Sequence, residues 1–208
     1  MSGTMHTPRT PLLRRLLIAF VVVLAPLAGA ATAQADGVAG RCEGRVIEQP
    51  FTTWDDPLDY FLVPDGDFSG GADGWELAGS SVVEDNEPWN VHGSESAAAV
   101  RIESGASATS PLICVGLDDP TMRFFAHSIG DPTGTLDVEV LYTDGEGNAQ
   151  SLTIGTIGGD SALEWTPVPA LPITANQYEM TVAFRFTAQG TDSTWLIDDV
   201  YIDPYRKG

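Results

Sequence analysis

The chain of 208 residues carries 10 Lys+Arg against 29 Asp+Glu, a formal net charge of −19, and 43% of it is hydrophobic. That is enough apolar material for a core, which excludes wholesale disorder. The excess of acid excludes a nucleic acid as partner, because phosphate binding needs a basic footprint, and argues equally against docking on anionic lipid.

Residues 1–35 read as a secretory signal peptide. Arg9, Arg14 and Arg15 supply a basic start, residues 16–27 an apolar run, and Ala31-Thr32-Ala33 and Ala33-Gln34-Ala35 two overlapping cleavage sites. The run falls short of the ~20 apolar residues of a spanning helix. The expectation is cleavage after Ala35 and a secreted, extracellular protein with no membrane insertion thereafter. The Arg14-Arg15 pair leaves the twin-arginine route open beside the general one. All 29 acidic and seven of the ten basic residues follow Ala35, so the mature chain carries −22. Such a surface stays soluble by self-repulsion and attracts cations.

Only two cysteines are present, Cys42 and Cys114. In an exported chain one disulfide is the simplest use of them, free thiols or pairing between chains being the alternatives. Residues 36–61 form an N-terminal extension with two aromatic clusters, Phe51-Thr52-Thr53-Trp54 and Tyr60-Phe61. From 62 to 208 the chain reads as one β-domain. Stretches 97–103 and 107–115 are expected to pair around Gly105, followed by 121–128. Along 135–143, Leu136, Val138, Val140 and Tyr142 share one face, while Asp137 and Glu139 take the other. Asp144-Gly145-Glu146-Gly147-Asn148 is a hairpin loop with a return over 150–154. Residues 178–187 alternate again, and 195–202 close the chain as a last strand. No stretch sustains a helical period, so the expected fold is all-β, a sandwich or barrel.

Two motifs narrow this. The first is Pro64-Asp65-Gly66-Asp67-Phe68-Ser69 followed by Gly74-Trp75. The second is Trp195-Leu196-Ile197-Asp198-Asp199-Val200-Tyr201-Ile202-Asp203-Pro204. Together they resemble the opening and closing strands of galactose-binding-like jelly rolls, among them carbohydrate-binding modules. The extension, Ser110-Pro111 before Cys114, Arg123-Phe124-Phe125-Ala126 and the closing run also resemble a group of uncharacterised stand-alone secreted bacterial proteins. The resemblance implies a β-sandwich jelly roll with an N-terminal extension. It also implies a structural Ca²⁺ near the meeting of first and last strands, with Asp67 and Asp198 as candidate carboxylates. Ser69 stands where those modules carry a Glu ligand. Turn chemistry for Asp67, and a strand-edge charge at a bulge for Asp198 and Asp199, are the alternatives.

Catalysis finds little support. The mature chain has two histidines, His92 and His127, and no G-x-S-x-G nucleophile elbow. Glu84, Asp85 and Glu87 read as a solvated acidic loop. The faces of three strands turned away from the core offer Arg123, Phe125 and His127, then Asp137 and Glu139, then Arg185. These six are the candidate ligand-binding residues, with Phe125 as the plate for a sugar ring and Trp89 as a loop contributor. Trp54, Trp75, Trp165 and Trp195 read as packing residues. The leading function is a secreted, non-catalytic binding module for neutral glycans, since −22 repels anionic ones. The alternative is a structural or protein-interaction domain of the cell exterior with no small ligand. Whether residues 36–61 cover the Phe125 face discriminates the two.

Overall fold

The computed structural model describes residues 42, 44–93, 97–174 and 179–205. The signal peptide expected over 1–35 lies outside the described residues. A 3-10 turn at Thr52–Trp54 precedes the strands, which are β1 (Phe61–Leu62), β2 (Glu76–Val83), β3 (Ala99–Thr109), β4 (Ile113–Val115), β5 (Thr121–Gly130), β6 (Thr135–Thr143), β7 (Ala149–Gly158), β8 (Thr166–Pro167), β9 (Leu171–Pro172), β10 (Met180–Gln189) and β11 (Ser193–Asp203). A second 3-10 turn, Gly159–Ser161, follows β7.

The strands make a curled antiparallel sheet whose halves face each other as two layers. In the first layer β5 pairs with β11, and β8 and β9 edge β5. In the second, β10 lies between β6 and the β3–β4 line, and β7 edges β6. β3 belongs to both: Val100–Ile102 pairs with β11, Ser107–Thr109 with β10. Gly105 is therefore no hairpin turn. It sits inside one continuous strand at φ +76°, where the strand passes from one layer to the other. Opposite it β2 kinks at Gly79, also φ +76°, where a Cβ would stand 3.1 Å from that of Ala106. Left-handed backbone at both points lets the paired strands turn the corner together.

The core lies between the layers. Phe124 of β5 meets Phe186 of β10 edge to face at 5.0 Å, and Trp75 stacks on Phe186 at 6.1 Å. Trp195 and Ile197 of β11 and Leu136, Val138 and Val140 of β6 fill the rest, as the alternation predicts. Since β5 and β10 meet through their inner faces, their outer faces look in opposite directions.

The extension is stapled down by a Cys42–Cys114 disulfide, with Cα atoms 5.1 Å apart. Arg45 adds a two-pronged ion pair to Asp119, at 2.6 and 2.9 Å, and a hydrogen bond to the Cys114 carbonyl at 2.8 Å. Glu48 and Tyr60 exchange both backbone hydrogen bonds at 2.8 Å, folding the extension into a hairpin that leads into β1.

Candidate functional site

Three regions of the domain carry chemistry. The first is the outer face of β5 and β11. Phe125 is 0% exposed. Phe51 of the extension stacks on it at 5.5 Å with planes 25° apart, and Trp54 and Trp89 close over it at 5.3 and 5.6 Å. Arg123 is equally committed: it pairs with Asp56 at 2.5 Å, donates to the Val168 carbonyl at 3.0 Å and lies 4.2 Å over the Phe51 ring. His127 lies against Trp165 at 5.7 Å, and its Nδ1 is buried without a hydrogen-bond partner. The open sugar plate expected at Phe125 is thus corrected. The face is apolar because the extension covers it.

The expected six-residue site is also divided. Arg123, Phe125 and His127 stand on the outer face of the first layer, while Asp137, Glu139 and Arg185 stand on that of the second, on the far side of the molecule. The strand alternation places each residue on an outer face correctly. Which layer owns each strand depends on pairing that alternation does not encode.

The second region is an acidic cluster under the extension. Asp198 and Asp199 fall at a bulge of β11, between the Asp198–Phe125 and Tyr201–Arg123 pairs, with Asp199 at φ 50°. The bulge is as expected, the strand edge is not: β11 runs between β5 and β1/β3, and the two side chains are 0% and 1% exposed. Asp67, also buried, joins them, as does Glu87, 1% exposed. The solvated reading of Glu87 is therefore wrong. Its carboxylate accepts the backbone N–H groups of Trp89 at 2.5 Å and Val91 at 2.6 Å, which turns the loop inward, and its own N–H reaches Asp198 at 3.4 Å. Glu48 of the extension accepts from the Tyr201 hydroxyl at 3.3 Å. His92 lies between, 3.4 Å from Glu48 and 3.8 Å from Asp67.

Burial first, then the neighbouring Asp199 carboxylate, pushes Asp198 far above the usual carboxylate range. Burial first, then the Glu87 and Asp67 carboxylates, does the same to Asp199. Oδ1 of Asp199 is buried with no hydrogen-bond partner. In kind, these donors suit a hard cation, which takes carboxylate and carbonyl oxygens and offsets such repulsion. Among the described residues, no three His, Cys, Asp or Glu side chains stand gathered as a formed metal group. Glu87, Asp199 and Glu48 were not legible as members. Their signal in the sequence is weak, since only burial distinguishes them from the other acids of an acidic chain.

The third region is an open groove of about 850 Å³ on the outer face of the second layer, reaching Leu112, Leu141, Ser151, Thr181, Ala183 and Arg185. Along its floor Leu141 and Ala183 face each other across the β6–β10 pair. Glu139 and Arg185, paired in the same register, make an ion pair at 2.7 Å and a hydrogen bond at 2.8 Å. Asp137 accepts from Thr156 at 2.8 Å. Gln150, Glu179 and Tyr142 add to the walls. An apolar strip bordered by fixed donors and acceptors suits a ligand with apolar faces and hydroxyl edges.

No family model and no curated protein matches the chain. Among solved structures it is similar to a family 61 carbohydrate-binding module in complex with β-1,4-galactotriose, with 21% identity, 69% of this chain and 97% of that one covered, and a TM-score of 0.43. The CBM22-1 xylan-binding domain from Paenibacillus barcinonensis matches at 10% identity over 65% of this chain and 88% of that one, TM-score 0.46. A family 16 carbohydrate-binding module matches at 14% over 68% and 98%, TM-score 0.48. At these scores the likenesses leave the ligand to be argued from the chain's own surfaces.

Proposed function

We propose that the mature chain is a secreted, non-catalytic carbohydrate-binding module whose groove on the second layer takes a neutral glycan. The observation that carries this reading is the groove itself: a floor of Leu141 and Ala183 beside the Arg185 guanidinium, which Glu139 holds in place. Glu139 accepts from the Arg185 guanidinium, which fixes both groups in place. The charge of the chain and the pairing of Arg185 both disfavour an anionic glycan. Affinity electrophoresis in gels containing neutral galactan or xyloglucan tests the reading, with retardation expected for the wild type and weakened in Arg185→Ala.

Export belongs to the same proposal. The disulfide supports an oxidising destination, and the mature N-terminus is proposed at Asp36, to be read from the intact mass of the secreted protein. A structural Ca²⁺ is proposed with Asp67 and Asp198 as its carboxylates and backbone carbonyls as its further ligands. It would supply charge compensation at the bulge of β11.

A second reading rests on one observation, the cover of residues 51–60 over the Phe125 face. It makes the domain a structural or protein-interaction element with no small ligand. Absence of any signal on a broad neutral-glycan array would favour it.

A further inference from the structure

The cover that hides Phe125 has an outer surface of its own, and that surface is aromatic. Trp54, from the 3-10 turn of the extension, and Trp89, from the loop after β2, meet at right angles with ring centroids 4.8 Å apart. Trp89 is 41% exposed, a large flat ring open to solvent. Trp165, just before β8, packs against the same Phe125 cluster over His127, and its indole N–H reaches Asp85 of the Trp89 loop at 3.4 Å. The indole N–H groups of Trp54 and Trp89 donate to no group among the described residues, whereas those of Trp75, Trp165 and Trp195 each have an acceptor.

We infer that Trp54, Trp89 and Trp165 form a second carbohydrate-binding surface, on the face opposite the groove, for a neutral polysaccharide. Packing explains Phe125 but leaves Trp89 unexplained, since a loop that only needed to shield Phe125 would be served by a smaller aliphatic group. An exposed indole costs apolar hydration and retains a donor. A pyranose ring matches both properties: its C–H face covers the indole and its hydroxyls accept from the free N–H. The local charge excludes an anionic chain. Asp85 and Asp56 border the ridge, and its nearest guanidinium, Arg123, is consumed by Asp56 and the Val168 carbonyl. The surface exists only because the extension is docked on the sandwich, since Trp54 is one of its three rings. It is independent of the groove, and with it the module would hold two glycan chains on opposite sides.

The test uses the full mature protein, with its disulfide, in affinity electrophoresis against neutral galactan, xyloglucan and hydroxyethylcellulose. In an Arg185→Ala/Glu139→Gln background, which disables the groove, retardation should persist and should then vanish when Trp89→Ala is added. Should the groove variant alone abolish all retardation, the ridge is overturned and the groove reading stands. Loss of all retardation by Trp89→Ala alone supports the ridge and overturns the groove reading. A wild type that no probe retards overturns both. Because Trp89→Ala also removes a contact of Phe125, the wild type gives a second readout. Oxidation of Trp89 by N-bromosuccinimide, mapped by mass spectrometry, should fall several-fold when the retarding polysaccharide is present. Equal oxidation with and without it overturns the ridge.

Discussion

Phe51 lies flat on Phe125, 5.5 Å between centroids and 25° between planes, across 74 positions of sequence. This contact decides that the outer face of β5 is an interior. Phe51, Tyr60, Phe125 and Tyr201 form a small second core under the extension, separate from the one between the layers. The extension is thus a third layer over part of the sandwich.

Phe125→Ala should destabilise the protein by about 3–5 kcal/mol, the usual cost of emptying a buried aromatic site. Phe51→Ala should act on the same cavity, so the double variant should lose clearly less than the sum. Urea unfolding followed by circular dichroism measures both. A Phe125→Ala variant with an unchanged midpoint would mean the face is open after all.

Removing the staple should free the extension. Cys42 and Cys114 are 72 positions apart, and the chain-entropy model assigns such a loop roughly 4 kcal/mol as an upper figure. The loss in Cys42→Ser/Cys114→Ser should be smaller, because Arg45–Asp119, Arg123–Asp56 and the Phe51 stack still hold residues 45–60. Limited proteolysis should cut the variant within the extension before the sandwich. Cleavage at the same rate as in the wild type would show that the staple adds nothing to docking.

The acidic cluster makes a prediction with a definite sign. Asp198 and Asp199 keep their protons to higher pH in the fold than in the unfolded chain. From the ordinary value of 3.8 up to those raised values, the folded state binds more protons. In chelator, their stabilising contribution is therefore whole below 3.8 and is lost as pH rises through that window. Ca²⁺ bound only by the native state should raise Tm, and more at pH 8 than at pH 5, because it displaces those protons. Asp199→Asn should raise stability in chelator at neutral pH by roughly 1–3 kcal/mol, because a buried amide takes up no proton on folding. Identical midpoints in chelator and in millimolar Ca²⁺ would eliminate the site.

Legibility in the sequence followed the range of the physics. Alternation along 135–143 and 180–187 is local, and it places Leu136, Val138, Phe184 and Phe186 inward as found. The adjacent Phe124 and Phe125 signal a strand buried on both faces, but nothing local says that Phe51 supplies the second cover. Gly105 looks like a turn because a positive-φ residue between two extended runs usually is one. Only the pairing of β3 with both β10 and β11 makes it a corner. The six candidate ligand residues failed as a set for the same reason: facing outward is local, sharing a layer is not. Asp198 was legible from its motif, whereas Glu87 was hidden among acids that do lie on the surface.

The groove gives the last prediction. Arg185 stands opposite Glu139 on a half-exposed face, so the pair contributes at most about 1 kcal/mol to stability. To a bound glycan it matters more, because its remaining N–H groups and carboxylate oxygen are held in place before the ligand arrives and meet hydroxyls without further ordering. Hydrogen bonds to charged groups are worth ~1.5–3 kcal/mol. Arg185→Ala should therefore weaken groove binding by roughly ten- to a hundredfold while barely moving the unfolding midpoint. Arg185→Lys keeps the charge but not the planar fork, and should fall between. Neutral galactan should bind and polygalacturonate should not, at low salt, and salt should narrow the difference as it screens the acidic surface. Titration calorimetry on the three proteins with both polymers measures all of this. If Arg185→Ala loses stability and affinity together, the pair is structural. If polygalacturonate binds the wild type as tightly as galactan, hydroxyl reading at Glu139 and Arg185 is the wrong account of the groove.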